Sequence, residues 1–411
     1  MVVDALYPEP KILSRKGIYG STADDMRITI STIGRFHAFD LAEQMRQRGL
    51  LTRLYTAYPS YKVDQTLRPF TRTFPWLLCF HLLVQRLGLD TVANLLNWPT
   101  VDSFDRWVAR RVEPCDVFVH LSAFGLHTAR RARKFGARIV CDRGSSHILY
   151  QNEILSDEYF RHGLTYRPID PRVMDKEIQE YAEADVVTVP SSFAYRTFVE
   201  KGVPAQKLRK LPYGVNLSIF RPLPKEDCCF RILFVGGYSI QKGIGYLFDA
   251  VRPLVQKGLV EVWLVGSAGL EATEILRRNA DIFIDKAAHP RSKLSWFYSQ
   301  ASVLVLPSIQ EGLALVQAQA MACGLPVIAT TNTGAEDLFT DGVEGFIVPI
   351  RDPKAIREKI EWMLDNPVRR QEMGVAALQR VKSLGGWDTY GKQAVTIFAQ
   401  LLNGSVSPKD V

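Results

Sequence analysis

Residues 229–267 read CFRILFVGGYSIQKGIGYLFDAVRPLVQKGLVEVWLVGS. An apolar run rich in Ile, Leu, Phe and Val enters paired glycines, passes through an amphipathic stretch, and returns to a second apolar run. Short apolar runs spaced by helix-length segments are the pattern of parallel βαβ units, whose strands are covered on both faces and so lack polar alternation. Downstream the rhythm continues through DIFID, SVLVLPS, PVIAT and GFIV. Upstream, MRITI (Met26–Ile30), LTRLYTA, DVFVH (Asp116–His120), ARIVCD (Ala137–Asp142) and ADVVTVPS (Ala184–Ser191) repeat it, with a first helix from about His37 to Arg48 stopped by Gly49. Residues 217–228, LSIFRPLPKEDC, are polar and Pro-interrupted, which makes them a linker. The fold class is therefore α/β, with two Rossmann-like doubly wound parallel-sheet domains. The expected boundaries are an N-terminal extension (1–25), a first domain (26–212), a linker (213–228), a second domain (229–385) and a last helical segment (386–411).

Composition agrees. The 411 residues are 47% hydrophobic and 23% charged, which excludes disordered and collagen-like chains. One core rarely grows past about 250–300 residues, so two domains are natural. The net charge is +8, of which +7 falls in residues 1–210. Six cysteines (Cys79, Cys115, Cys141, Cys228, Cys229, Cys323) without CxxC spacing read as buried thiols in a reducing compartment. The N-terminus is charged and Pro-containing, unlike a signal peptide, and the longest apolar stretch (74–84) falls short of the roughly 20 residues a spanning helix needs. The expectation is a cytoplasmic chain. Residues 66–111 carry no strand signal but many aromatics (Phe70, Phe74, Trp76, Phe80, Trp98, Trp107). They read as a helical insertion, either touching a membrane interface or packed on its own domain.

Open parallel sheets bind ligands beyond the carboxyl ends of their strands. Three groups of loops there hold candidate residues. In FVGGYSIQKG, Gly236 and Gly237 admit a ligand to the backbone, and Lys242 at a helix mouth suits a phosphate; the bland alternative is a Gly-rich turn with a solvated lysine. In PSIQEGLALVQAQAMACGLPVIAT, Glu311 precedes a helix opening at Gly312. Gln319, eight residues on, falls on its same side, so a carboxylate and an amide could bond a row of hydroxyls; a dipole-complementing Glu and a surface Gln are the plain alternative. In the first half, Gly34 of TIGRFH allows close approach, and Asp142, Arg143 and His147 of CDRGSSH bunch a potential acid/base with a fixed cation, although such groups are more often structural.

Together, ADVVTVPS, PYGV, FVGG…KG, EGLALVQAQAMACGLPVIAT and TG…DG…GFIV resemble, in order and spacing, the signature of retaining GT-B glycosyltransferases of family 4 over about residues 26–400. The resemblance implies a nucleotide-diphosphate sugar on the second domain, an acceptor entering from the first, and reaction between them. Lys242 would neutralise the diphosphate. Glu311 with the N–H groups of Gly312, Leu313 and Ala314 would hold the sugar or its phosphates, Gln319 would face the ribose, and Gly34 would approach the diphosphate. The family's catalytic-loop histidine has no clear match; His147 is nearest, beside Asp142 and Arg143. A phosphate oxygen is the implied base, so Glu311 is not read as a nucleophile. Relatives usually carry Glu where Gln319 stands, and many carry Arg where Gly237 stands, which puts donor affinity in doubt; Arg35, Arg143 or Ser239 are the compensating groups to look for. The last helix is implied to cross back onto the first domain.

The implied activity is sugar transfer with retained configuration, with no cofactor and no metal. The chain also lacks D-x-D. The implied setting is surface polysaccharide or glycolipid synthesis, with a glycan, glycolipid or polyprenyl-diphosphate acceptor. Peripheral contact with an anionic membrane on the cytoplasmic face is part of that expectation, and nucleic acid is not. Alternatives are a nucleotide-sugar epimerase, a soluble small-molecule glycosyltransferase, or a donor-binding scaffold without catalysis. A dehydrogenase is disfavoured for want of GxGxxG.

Overall fold

The computed structural model describes residues 25–404; the expected extension lies almost wholly outside them, as do residues 405–411. The first domain holds seven strands, β1 (Ile28–Thr32), β2 (Leu51–Thr56), β3 (Thr71–Thr73), β4 (Val117–Leu121), β5 (Arg138–Asp142), β6 (Val186–Val189) and β7 (Leu208–Lys210). Their order is β3-β2-β1-β4-β5-β6-β7, and every pairing is parallel. Its helices are α1 (His37–Gln47), α2 (Trp76–Arg86), α3 (Asp90–Ala109), α4 (Leu126–Arg133), α5 (Ile148–Arg161), α6 (Pro171–Glu183) and α7 (Ser192–Glu200).

The second domain holds β8 (Arg231–Tyr238), β9 (Glu261–Ala268), β10 (Ile284–Asp285), β11 (Val303–Leu306), β12 (Val327–Thr330) and β13 (Gly345–Val348), ordered β10-β9-β8-β11-β12-β13. Its helices are α8 (Ile244–Gln256), α9 (Thr273–Arg278), α10 (Leu294–Gln300), α11 (Leu315–Ala322), α12 (Ala335–Leu338), α13 (Pro353–Asp365) and α14 (Pro367–Leu384). The final helix is α15 (Trp387–Leu402).

Alternate side chains of each strand enter opposite cores. Ile28, Val117, Val119, Val140 and Val186 pack under α1 and α15, whereas Phe118, Ile139, Cys141 and Val187 pack under α4, α6 and α7. In the second sheet Leu233, Leu304 and Val327 face α11 and α14, and Ile232, Val303 and Ile328 face α8 and α13. Burial on both faces is why strands such as β11 (VLVL) and β6 (VVTV) read as apolar runs, while β1 (ITIST) buries its Thr and Ser as well.

α15 follows the second sheet in sequence, yet Trp387, Tyr390, Ala394, Phe398 and Leu401 complete the first domain's core. The chain thus crosses between domains twice, after β7 and before α15. The crossings touch: a Cβ on Gly214 would come within 2.6 Å of the Gly386 carbonyl oxygen, so only glycine fits there.

Three expectations are corrected. Residues 66–111 do contain a strand, β3, and β7 occupies a stretch to which no strand was assigned; both are three-residue edge strands, too short for periodicity to register. The helix expected to open at Gly312 begins at Leu315. Residues 311–314 are held as extended loop, because the Glu311 N–H donates to Asn332 O (2.9 Å) and the Ala314 N–H to Thr333 O (3.3 Å). The helical part of 66–111 divides its loyalties. Phe104 and Val108 of α3 are buried with Ile33 and Tyr55, while Trp76, Phe80, Leu82 and Leu83 of α2 are exposed.

Candidate functional site

The carboxyl ends of both sheets meet in one cleft. There Gly312 abuts the first domain, since a Cβ on it would lie 2.6 Å from the Gly144 carbonyl carbon and 2.9 Å from Ser145 Cα. Gln310 Nε2 donates to Ser145 Oγ (2.6 Å) and Ser146 Oγ (2.8 Å), and Ser191 Oγ donates to Gly312 O (2.5 Å). On the flank, fully buried Glu158 of α5 accepts from Tyr246 Oη (2.8 Å) and Arg351 Nε (2.5 Å) of the second domain. Beside these contacts is a cavity of about 690 Å³, walled mainly by the first domain, with Arg291 and Leu315 from the second.

On the second domain, the carboxyl-terminal part of β8 carries Gly236 at φ 141°, a backbone angle that side chains rarely adopt. A Cβ on Gly237 would meet nothing nearer than Ser267 O at 4.0 Å. Gly243, left-handed at φ 66°, caps α8 against the end of β11, and a Cβ there would come within 2.9 Å of the Pro307 carbonyl carbon. The loop between is thereby pinned, with the Lys242 N–H on Ser239 Oγ at 3.2 Å. The Lys242 ammonium is paired with Glu311 Oε1, which also accepts from Ser308 Oγ (3.1 Å). Lys242 and Glu311, apart by 69 residues, are thus brought together. Gln319 is buried, and its Oε1 accepts from the Tyr298 hydroxyl (2.9 Å). The Ala314 N–H is occupied by Thr333; those of Gly312 and Leu313 meet no protein acceptor among the described residues.

On the first domain the structure redistributes the expected roles. His147 is not a cleft residue. It caps α5, its Nδ1 accepting the Leu149 N–H (3.2 Å), and its ring packs on Tyr181 and Phe198. Burial, with a lesser push from the Arg143 charge, lowers its pKa to about 4. Arg143 borders the cavity but its donors are occupied. Its Nη1 binds Glu177 (2.8 Å) and Ser122 Oγ (3.2 Å), Nη2 binds Gln151 (2.6 Å) and Nε binds Ser146 O (3.0 Å). It therefore does not replace a diphosphate cation at Gly237. Arg35 is paired with Asp64 at 2.8 Å, and Ser239 is engaged by the Lys242 backbone. Gly34 sits beneath the Phe36 ring, 3.1 Å from where its Cβ would be.

Asp142, at the end of β5, instead meets a residue that sequence reasoning passed over. His37, first in α1, places Nε2 2.6 Å from Asp142 Oδ2, and Thr188 Oγ1 donates to Asp142 Oδ1 (2.8 Å). His37 lines the cavity, with its ring centroid 4.4 Å from that of Tyr213. A histidine just past the first strand, on the same sheet edge as Asp142, was the available signal. Asp40, one turn on, has its pKa raised by burial, an effect reduced by Arg291 across the cleft.

Below the cavity, ligand atoms of buried His120, Cys141 and Glu180 lie within 4.8 Å of one another. The Glu180 oxygens accept N–H groups from Ala123 (2.5 Å), Gly125 (2.9 Å) and Leu126 (2.9 Å), which anchors the loop that forms the cavity floor. Burial pushes that carboxyl up to about 8. No described helix is long and apolar enough to cross a membrane.

Comparison with known proteins bears on this geometry. The family described as glycosyl transferases group 1 matches residues 229–366, the domain carrying Lys242, Glu311 and Gln319. A D-inositol 3-phosphate glycosyltransferase of Catenulispora acidiphila is 25% identical over 226 residues, which is 49% of this chain and 54% of that protein. The capsular polysaccharide biosynthesis glycosyltransferase CapM of Staphylococcus aureus is 27% identical over 230 residues, covering 51% and 59%. The chain spans about half the length of the curated relatives it matches. Among solved structures, sucrose-phosphate synthase of Thermosynechococcus elongatus superposes with TM-score 0.68 at 20% identity over 92% of this chain and 100% of its own. Anabaena HepE, solved with UDP-glucose, gives 0.66 at 16% identity over 92% and 100%. The fold is thus that of the GT-B glycosyltransferases: two Rossmann-like domains facing a cleft.

Proposed function

We propose that the chain transfers a sugar from a nucleotide-diphosphate sugar to an acceptor hydroxyl, with retention of anomeric configuration and without a divalent metal. The observation that carries this reading is the Lys242–Glu311 pair beside the open Gly237 and the N–H groups of Gly312 and Leu313, opposite an acceptor-sized cavity. A donor diphosphate seated there takes the Lys242 ammonium from Glu311 and frees that carboxylate for the sugar hydroxyls. As the acceptor oxygen bonds to the anomeric carbon, the bond to the diphosphate breaks and its electron pair leaves with the phosphate. Lys242 and the α8 N-terminus stabilise that developing charge, the work a metal ion does elsewhere. Closure over the cleft keeps water from competing. The N-terminal half's +7 charge favours an anionic acceptor such as a polyprenyl-diphosphate saccharide, and with it surface polysaccharide or glycolipid synthesis. The exposed apolar face of α2, a helix packed on α3, whose Asn97 and Val101 line the cavity, supports peripheral contact with the lipid that would carry such an acceptor.

The test is a thermal-shift screen with UDP-, GDP-, ADP- and dTDP-sugars, uridine first because HepE was solved with UDP-glucose. The donor that shifts melting is then followed for nucleoside diphosphate release. Loss of one preorganised cation costs on the order of 10²–10³ in kcat. Lys242→Ala and Glu311→Ala variants that release product as fast as wild type would overturn the site, and a rate abolished by EDTA would overturn metal independence.

A further inference from the structure

β4 and β5 pair in a parallel register that sets His120 directly beside Cys141, so both side chains point to one face of the first sheet. That face is covered by α4, α6 and α7, and Phe118, Ile139 and Val187 make it an apolar layer. Glu180 of α6 reaches into the same layer. A ring nitrogen of His120, the Cys141 sulfur and a Glu180 oxygen lie within 4.8 Å of one another. His120 and Cys141 are 0% exposed and Glu180 2%. We propose that these three side chains bind one Zn²⁺ ion, as a structural site beneath the cavity floor.

The state of each donor fits. His120 Nδ1 lies 3.2 Å from the Leu121 carbonyl oxygen, which can only accept, so Nδ1 carries the ring hydrogen. Nε2 then holds a lone pair, and it is buried with no hydrogen-bond partner. An imidazole that donates to a backbone carbonyl through one nitrogen and leaves the other bare has the arrangement of a metal-ligating histidine. Glu180 accepts three backbone N–H groups, from Gly125 and Leu126 on Oε1 and from Ala123 on Oε2. A carboxylate offers about four lone pairs, so Oε2 keeps one for an ion. Cys141 is a buried free thiol. A histidine that merely filled the layer would leave its lone pair unmet, at the cost of a lost hydrogen bond.

One imidazole, one thiolate and one carboxylate suit zinc, which accepts nitrogen, sulfur and oxygen ligands; Mg²⁺ and Ca²⁺ take oxygen alone. The charges close as well. As the ion enters, the thiol and the carboxyl release their protons to solvent. Two anionic ligands and a neutral imidazole then balance its two positive charges, as burial demands. A solvent oxygen completes the tetrahedron. None of the three residues lines the cavity, so the ion takes no part in sugar transfer. It ties β4, β5 and α6 together under the loop from Ala123 to Leu126 that Glu180 already holds. The site is independent of the transferase reading.

The experiment uses the full chain without a histidine tag. Because the site is buried, the ion is offered while the chain folds, by expression in medium supplemented with zinc, supplemented with cobalt, or stripped by chelator. Metal per chain is measured after gel filtration. The stripped sample is the form in which His120 and Glu180 titrate as free buried groups. The expected result is about one zinc per chain and a melting temperature several degrees above that of the stripped sample. The cobalt form should show a thiolate-to-cobalt charge-transfer band. Against a competing chelator, His120→Gln, Cys141→Ala and Glu180→Gln should each bind zinc about tenfold or more weakly, since loss of an outer-shell partner alone costs about 10–100-fold. Cys79, Cys228 and Cys229, expected to be buried, are exposed thiols that can take up zinc adventitiously. Changing all three to Ser should leave stoichiometry and band unchanged. A wild type that keeps no zinc through gel filtration, a cobalt form without the band, or a folded Cys141→Ala that retains zinc and band would overturn the site. If Cys141→Ala does not fold, the triple Ser variant decides: loss of the band there assigns the ion to the exposed thiols and sinks the proposal.

Discussion

Gly312→Ala adds one methyl where the two domains touch. The Cβ would lie 2.6 Å from the Gly144 carbonyl carbon and 2.9 Å from Ser145 Cα, against an ordinary carbon–carbon contact of about 3.5–4.0 Å. Roughly 1 Å must be found, and the opposing atoms are backbone, so no rotamer change supplies it. The glycine is not in a left-handed conformation, so the cost is steric alone. Local accommodation of an extra methyl costs about 1–3 kcal/mol. Opening the cleft instead forfeits the bonds of Gln310 to Ser145 and Ser146 and of Ser191 to Gly312, about 1 kcal/mol each. Both routes place the closed arrangement about 1–3 kcal/mol higher, a factor of about 5–150 in population. Each domain keeps its own core, so melting should change little. Small-angle scattering should show a larger radius of gyration, and transfer should fall about tenfold or more. An unchanged scattering curve together with kcat/KM within twofold of wild type would refute the contact and its link to turnover.

Gly237→Arg should tighten nucleoside diphosphate binding about tenfold by calorimetry, since the site is sterically open and a second cation would stand by the diphosphate. Gln319→Glu keeps the Tyr298 hydrogen bond and offers a charged acceptor, so donor Kd should fall severalfold; a weaker Kd would place the ribose elsewhere. Chemical denaturation should locate a stability maximum near pH 6.5 from three buried groups. His120 and His147, both lowered to about 4 by burial, take up protons on unfolding as pH falls below 6.5, so each removes about 1.4 kcal/mol per pH unit down to 4. Glu180, raised to about 8, releases its proton on unfolding between 4.5 and 8, so its contribution falls as pH rises. His147→Asn, which retains an acceptor at the cap, should remove one of the two histidine slopes. Binding to vesicles containing phosphatidylglycerol should exceed binding to phosphatidylcholine and weaken in high salt, and Trp76→Ala with Phe80→Ala should abolish it; equal binding to both lipids would exclude an electrostatic part.

The central strands were legible because burial on both faces makes most of them short apolar words, such as Val303–Leu306 and Val327–Thr330, and keeps even the Thr- and Ser-containing Ile28–Thr32 β-rich. β3 and β7 were not: a three-residue edge strand such as Thr71–Thr73 is defined by its neighbour's hydrogen bonds, which no local pattern encodes. In the second domain, Lys242 and Glu311 each follow a recognisable strand, so topology alone brings them to one edge. The first domain misled because chain neighbours diverge. From Asp142 the backbone turns at Gly144, so His147 goes under α5 while Arg143 goes to Glu177. The pairing of His37 with Asp142 spans 105 residues and exists only once β1 and β5 share a sheet.

α15 gives synthesis order a consequence. The first domain leaves the ribosome with the face beneath α1 lacking Trp387, Tyr390, Phe398 and Leu401, and that wedge emerges only after the whole second domain. The two units therefore cannot mature in the order they are made. The early one waits with apolar surface uncovered, and the closing contact has nearly the longest loop the chain can offer. A ribosome-stalled fragment ending near residue 385 should bind chaperone and resist compaction even though it contains every strand of both sheets.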